Sequence, residues 1–324
     1  MLYLVTGATG LVGNNVARLL LARGDRVRVL TRASSDPRPL AGLDLEIVKG
    51  DVRDAASVDE AVRGVDRVVH AAAYVHIGWT QLDLSRAINV GGTANVAASA
   101  RRAGARLVHV SSVDAMGLSP HGQPSDEETP VAGGVLCPYV VTKREAEQVV
   151  SAEVAQGLEA TIVNPAYMIG PWDWKPSSGR MLLEVARNRG LVAPLGTNNF
   201  CDVRDVAEGI LSAADRGATG RRYILGGERL SYFQAWRIFA KVTRALPPLL
   251  PAGPLVRRAA GAGGDLWTRL TGREPDVNSA ATAIAAQSRN FVSGRAEREL
   301  GYHARPLSEA AEAAWEWFRQ HSYA

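Results

Sequence analysis

Cysteine is almost missing from these 324 residues: there are two, Cys137 and Cys201. They have neither a zinc-ligand spacing nor the number needed for a disulfide framework, which excludes stapled secreted scaffolds and zinc modules and fits a reduced, cytoplasmic setting. No run reaches about 18 uncharged apolar residues, so no membrane span is expected. The opening Met1-Leu2-Tyr3-Leu4-Val5-Thr6 has no basic stretch and no cleavage site, and does not read as a signal peptide. The net charge of +4 comes from scattered residues and not from a dense Lys/Arg block. That argues against a nucleic-acid partner and leaves a mild cationic bias suited to an anionic cofactor. Internal repeats, low-complexity segments and metal-ligand clusters are absent too.

What is present is a rhythm. Residues 2–6 predict a buried strand, and residues 11–23 a helix with Leu11, Val12, Val16, Leu19 and Leu20 at helical spacing. Further strands are predicted over 26–31, 45–49, 67–71, 106–110 and 160–163, with helices over 58–62, 84–103 and 139–156. Strands alternating with helices predict an α/β fold, a Rossmann doubly wound parallel sheet with right-handed crossovers. The rhythm breaks after Pro165, at Gly170-Pro171-Trp172-Asp173-Trp174-Lys175-Pro176. Later pieces are a strand over 222–225 and helices over 232–244 and 307–320, interrupted by Pro247-Pro248 and Gly261-Ala262-Gly263-Gly264. The expected division is a dinucleotide-binding core over 1–165 and a smaller mixed substrate lobe over 166–324, some segments of which return to the core.

Thr6-Gly7-Ala8-Thr9-Gly10-Leu11-Val12-Gly13 places three glycines directly after the first strand and across the opening of the first helix. Gly7, Gly10 and Gly13 let backbone turn sharply and approach phosphates. The amides opening the helix, with Thr9, Leu11 and Val12 around them, offer a positive dipole end to a pyrophosphate. An NAD-selective second strand ends in Asp or Glu for the ribose hydroxyls. Here it ends Val29-Leu30-Thr31-Arg32, so Arg32 is expected to pair with a 2′-phosphate, with Ser34 and Ser35 adding hydrogen bonds. The expected cofactor is NADP, with NAD the alternative. Asp51 is expected at the adenine amino group with Val52 packed beside it, and Ala71, Ala72 and Ala73 where backbone passes close to the cofactor.

Tyr139 and Lys143 stand four residues apart, on one face of a helix. A phenol with an ordinary pKa of about 10 needs a neighbouring cation to act near neutral pH; Lys143 is expected to provide it and to bind ribose hydroxyls. Ser112, with Ser111 the fallback, ends the fifth strand at the carboxyl edge where ligands bind. It would hold a substrate oxygen while Tyr139 gives it a proton and a nicotinamide gives hydride to carbon. His76 and Trp79, beside Tyr74, lie on the loop after the fourth strand and are expected at a small-molecule substrate. Trp172 and Trp174 suit a flat apolar substrate or, equally, a cap on the lobe's core. Arg257-Arg258 reads as a surface patch, and Cys137 has no basic partner to make it a nucleophile.

The chain resembles the extended short-chain dehydrogenases/reductases along essentially its whole length. The resemblance rests on Thr6 to Gly13, Gly50-Asp51, His70-Ala71-Ala72-Ala73, Asn89-Val90-Gly91-Gly92-Thr93, Val110-Ser111-Ser112, Tyr139/Lys143 and Asn164-Pro165. Asn164-Pro165-Ala166-Tyr167-Met168-Ile169-Gly170-Pro171 and Arg222-Tyr223-Ile224-Leu225-Gly226-Gly227 are most similar to the dihydroflavonol-reductase-like branch, especially its bacterial hopanoid-associated members. This implies the Ser/Tyr/Lys roles above, and it implies that Asn164, Pro165, Ala166, Tyr167 and Met168 line the nicotinamide side, Tyr167 reaching the substrate. It further implies a structural turn at Asp202 and Asp205, and a homodimer through the helices over 84–103 and 139–156. Nucleotide-sugar members tend to carry an arginine before the turn that here reads Asn198-Asn199-Phe200-Cys201-Asp202-Val203-Arg204-Asp205-Val206, and this chain has none in that slot. The sequence therefore favours an NADP(H)-dependent reductase or dehydrogenase acting on a ketone, aldehyde or secondary alcohol. A nucleotide-sugar epimerase or dehydratase with retained NAD is the second reading, and a redox-sensing binder without turnover the third.

Overall fold

The computed structural model describes residues 1–132 and 134–323. Its strands and helices follow in the order β1 (Leu2–Thr6), α1 (Leu11–Ala22), β2 (Arg26–Thr31), β3 (Glu46–Lys49), α2 (Ala55–Val62), β4 (Arg67–His70), α3 (Leu82–Ser85), α4 (Gly92–Ala103), β5 (Arg106–Val110), α5 (Pro138–Ala155), β6 (Ala160–Pro165) and β7 (Tyr167–Ile169). There follow α6 (Arg180–Ala186), β8 (Val192–Ala193), β9 (Thr197–Asp202), α7 (Val203–Arg216), β10 (Arg222–Leu225), β11 (Glu228–Ser231) and α8 (Tyr232–Thr243). The chain ends with β12 (Leu250–Pro251), α9 (Pro254–Thr271), α10 (Ser279–Ile284), α11 (Gly294–Leu300) and α12 (Leu307–Gln320).

Seven strands form one parallel sheet in the order β10-β6-β5-β4-β1-β2-β3. Helices cover both faces, so its central strands are apolar runs and not alternations: every residue of Leu2–Thr6 is buried. Tyr3, Val5, Val27 and Val29 pack with Val16, Leu20 and Ile210 on one face. Leu4, Val68 and Leu107 pack with Val58, Val96 and Val150 on the other. Strand order reverses at β1, which pairs with β2 on one side and β4 on the other. The crevice beyond the carboxyl ends of β1 and β4 is where a sheet of this kind takes its ligand.

The second lobe is built on the three-stranded sheet β11-β9-β7 and on a core of Ile169, Leu182, Phe200, Phe239, Trp317 and Phe318. Two segments from beyond Pro165 belong to the first body instead. β10 pairs with β6, Leu225 opposite Pro165, and α7 sends Val206 and Ile210 into the cluster that holds Tyr3. The helix expected over 84–103 is three pieces, because a π turn over Arg86–Gly91 separates α3 from α4. The extra residue turns Asn89 inward. Its amide accepts from Tyr74 N (2.7 Å) and donates to Tyr74 O and to Thr142 Oγ1 (both 3.0 Å), fastening the loop after β4 to α5.

Candidate active site

The glycine loop sits at the point where strand order reverses. Gly7 has φ +74°, and a Cβ there would stand 2.6 Å from Ala72 N, so both its conformation and its space require glycine. Gly13 lies hard against Gly7 and Ala8, which lets α1 start directly over the loop. Nothing in the protein demands glycine at Gly10: its nearest contact would be an ordinary 3.4 Å, and it is exposed. Gly10 caps α1 with no side-chain hydrogen bond and no acidic residue in the first turn, so the amides of Leu11, Val12 and Gly13 face outward at a positive dipole end. Thr9 borders the same loop, half-buried. Ala71, Ala72 and Ala73 run past it, each only partly buried. Arg32 is exposed at the end of β2, with no carboxylate partner among the described residues. These features fit a dinucleotide. Asp51 is already engaged: Arg53 grips its carboxylate with Nε (3.0 Å) and a terminal nitrogen (2.8 Å), holding it below the usual carboxylate range. Val52 is buried and packs against Gly92.

Ser111, Ser112, Tyr139 and Lys143 converge, all buried, at the carboxyl end of β5 and the first turns of α5. Ser112 ties down the turn after β5: its Oγ accepts from Asp114 N and donates to Asp114 Oδ2, both at 3.1 Å. Burial and the Asp114 carboxylate push the Tyr139 phenol well up from its ordinary value, while the Ser112 hydroxyl and the Arg289 guanidinium pull the other way. Arg289 thus acts on the phenol from outside its own helix, while Lys143 donates to Val110 O at 2.9 Å. Burial lowers the Lys143 pKa to about 8, against the opposing pull of Glu147 and Asp114.

Glu147 is the hub behind the lysine. Its Oε1 accepts from Ser111 Oγ (2.5 Å) and Asn164 Nδ2 (2.6 Å), and Arg222 approaches Oε2 at 3.6 Å. Asn164 also donates to Ser112 O at 2.9 Å, so β5, β6 and α5 are joined at their functional ends. Pro165 and Ala166 follow, buried, and Met168 packs at the edge of the first core cluster. Beneath the site His70 bonds Thr6 Oγ1 (2.7 Å) and Thr93 Oγ1 (3.1 Å), and burial drops its pKa to about 3, leaving it neutral. Burial raises the Cys137 thiol, which suits packing beside Tyr139 more than nucleophilic chemistry.

The C-terminal segment closes over this cluster. Arg289 is buried and ion-paired with Asp114, and it bonds Gln287 Oε1 at 3.0 Å. Ala280 and Ile284 of α10 pack on Tyr139 and Val140. Glu274 accepts from Trp79 N (2.7 Å), Thr80 N (3.0 Å) and Thr80 Oγ1 (2.5 Å), and pairs with His76 Nε2 at 2.8 Å. Trp79 is half exposed and donates its indole N–H to Ser279 Oγ at 2.7 Å. His76 and Trp79 therefore hold the loop after β4 against the C-terminal segment. Two residues expected at the substrate have other surroundings. Tyr167 packs among Phe200 and Tyr232 with its hydroxyl on Ser178 O (2.9 Å). Trp172, at φ +69°, covers Trp317 and His321 and stacks on Arg18 of α1, whose guanidinium carbon lies 3.3 Å from the ring centre. Their contacts are those of the lobe's core, and of its junction with α1. Arg289, Asp114, Glu147 and Glu274 were missed from sequence. Glu147 alone had a local signal, one helical turn beyond Lys143.

Residues 3–226 match the NAD dependent epimerase/dehydratase family. The chain is 37% identical to sterol demethylase protein B of Methylococcus capsulatus, with 99% of each chain covered. It is 35% identical to a putative dihydroflavonol 4-reductase of Synechocystis, covering 99% of this chain and 95% of the relative. Among solved structures it is similar to gox2253 at a TM-score of 0.87 and 36% identity, over 99% of this chain and 98% of that one.

Removing one member of the Asp114–Arg289 pair, whose arginine is buried, leaves the other uncompensated. Arg289→Leu is expected to cost about 3 kcal/mol in urea denaturation, and Asp114→Asn combined with it to recover most of that loss. Additive losses would mean that the two charges do not depend on each other.

Proposed function

Since the chain belongs to the NAD dependent epimerase/dehydratase family, as an extended short-chain dehydrogenase/reductase and an NAD(P)-dependent enzyme, we propose that it is an NADP(H)-dependent oxidoreductase that interconverts a ketone or aldehyde with an alcohol at Ser112, Tyr139 and Lys143. The observation that carries this reading is the burial of those three side chains together, at the carboxyl end of β5, on the same edge of the parallel sheet as the glycine loop after β1. The exposed, unpaired Arg32 supports the 2′-phosphate, and the reductase name of one relative agrees in direction.

When bound, the nicotinamide cofactor supplies the hydride or takes it. The protein's part is to hold and move a proton at the substrate oxygen. Ser112 Oγ and Tyr139 Oη bind that oxygen, and the raised pKa of Tyr139 keeps the phenol protonated and able to donate during reduction. Lys143 stabilises the phenolate left behind. It keeps two N–H groups beyond the one it gives Val110 O, and these meet the ribose hydroxyls. Glu147 favours the charged form of Lys143 and so sustains that role.

Titration of the purified protein with NADPH and NADH tests the proposal. Preferred, freely exchanged NADPH is expected, whereas tightly retained NAD would transfer the reading to an epimerase or dehydratase that recycles its cofactor. Tyr139→Phe should lower turnover by about a thousandfold with cofactor affinity intact; retained turnover would remove the acid role. Arg32→Asp should weaken NADPH by about tenfold or more and NADH far less, and equal effects would sink the phosphate assignment. Because the folded Lys143 loses its proton as pH rises through about 8, kcat at saturating cofactor should fall above that pH. Glu147→Gln should move this limb to lower pH, and a profile flat to about pH 10, near a free lysine's pKa, would exclude Lys143 as its source.

A further inference from the structure

α9 is amphipathic with its apolar side facing out. At about 100° per residue, Leu255, Ala259, Leu266, Leu270, Val256 and Trp267 fall within one arc of about 120°, and all six are exposed, Leu255 at 79% and Leu270 at 76%. The opposite side is the one that packs: Gly261 and Gly264 press on the backbone of Ser279 and Val277. α12 shows the usual arrangement, with Leu307, Ala310, Ala314, Trp317 and Phe318 turned inward. The apolar surface extends back along the chain through the exposed Leu246, Leu249 and Leu250. Leu249 N bonds Leu191 O, so the exposed Leu191 and Val192 lie alongside.

Along α9 and the stretch before it, basic residues outnumber acidic ones. From 241 to 273 the chain carries Lys241, Arg244, Arg257, Arg258, Arg269 and Arg273 against a single acid, Asp265. Asp265 is occupied, accepting from Ser279 N at 3.0 Å. None of the five arginines has a carboxylate partner among the described residues. Arg258 and Arg269 flank the apolar arc along one border, and Trp267 stands on the other.

We infer that α9 and the Leu246–Leu250 stretch dock this protein on a lipid bilayer that bears anionic headgroups, with the helix lying in the interface. The occupant follows from charge complementarity. An outward apolar arc bordered by unpaired arginines and carrying a tryptophan matches the depth profile of a membrane surface, apolar below and anionic at the headgroups. A second copy fits less well, because a two-fold contact through the same face would bring like arginines together. No described helix is long and apolar enough to cross a membrane, so the contact is superficial. α9 sits on α10, and α10 packs on Tyr139, so the membrane-facing side is also the roof of the catalytic cluster.

Binding to vesicles tests this without reference to turnover. The full chain is centrifuged with vesicles of equimolar phosphatidylcholine and phosphatidylglycerol, and with phosphatidylcholine alone. Sedimentation with the mixed vesicles is expected, and weaker sedimentation with the neutral ones. Leu266→Ser with Leu270→Ser should reduce the partition coefficient by about tenfold or more, and Arg258→Glu with Arg269→Glu should abolish the preference for the anionic lipid. All four positions are exposed, so the thermal transition of each variant should match the parent chain's. Brominated lipid should quench the parent's fluorescence, and Trp267→Phe should remove that quenching. Failure of the parent chain to sediment would overturn the inference, as would undiminished binding of the double leucine variant. So would a concentration-dependent dimer, seen by analytical ultracentrifugation without vesicle binding, that the leucine substitutions dissolve.

Discussion

Glu147 is a buried carboxylate where α5 meets the strands beside it, and the geometry of the candidate site rests on how its charge is settled. Burying an ion costs several kcal/mol unless partners replace the lost water. Here Ser111 just after β5, Asn164 from β6 and Arg222 from β10 all come to it. The bonds that satisfy the carboxylate fix the ends of these strands relative to α5, and α5 carries Tyr139 and Lys143. The same charge acts one helical turn away, where it limits how far burial can strip Lys143 of its proton. One anion thus helps to fix strand ends and, with Asp114, favours the charged lysine.

The second lobe is attached at the site itself and not only through distant packing. Asp114 belongs to the turn that follows Ser112, and Arg289 reaches it from the far end of the chain. Glu274 gathers the loop after β4 in the same way. On the opposite side Asn15 of α1 donates to Pro171 O at 3.0 Å, and Arg18 lies over Trp172. The lobe is fastened to the helix that opens the phosphate loop, to the turn that presents the serine and to the loop that borders the crevice.

The parts of this arrangement that were legible in the sequence are those carried by short spacings. Gly7, Gly10 and Gly13 between a strand and a helix, Tyr139 with Lys143, and the serine pair at the end of a buried strand are each visible within a dozen residues. Periodicity also found the sheet's strands, but it could not show that Asn89 interrupts a helix with a π turn, because its signal is a bond to the backbone of Tyr74. Arg289 and Glu274 were beyond reach for a simpler reason. Their partners are 175 and 198 residues away, and no local pattern announces such a meeting. At Trp172 the residue type suited a flat ligand and a cap on the lobe's core alike, because spacing cannot tell which way a loop side chain turns; here it lies against Trp317 and His321. The arginine pair in α9 was visible as surface, while the outward direction of its leucines depended on where two glycines find their neighbours.

The Asp114–Arg289 pair also divides the site by provenance. The residues that match the family end at 226, and they include the phosphate loop, the serine, the tyrosine and the lysine. Arg289, Glu274 and the roof helix α10 come from beyond that point. The residues of the candidate site and the segment that closes over them are therefore written in separate stretches of the chain. Substitutions in the second stretch can reshape the cover over Tyr139 while Gly7, Ser112, Tyr139 and Lys143 stay as they are.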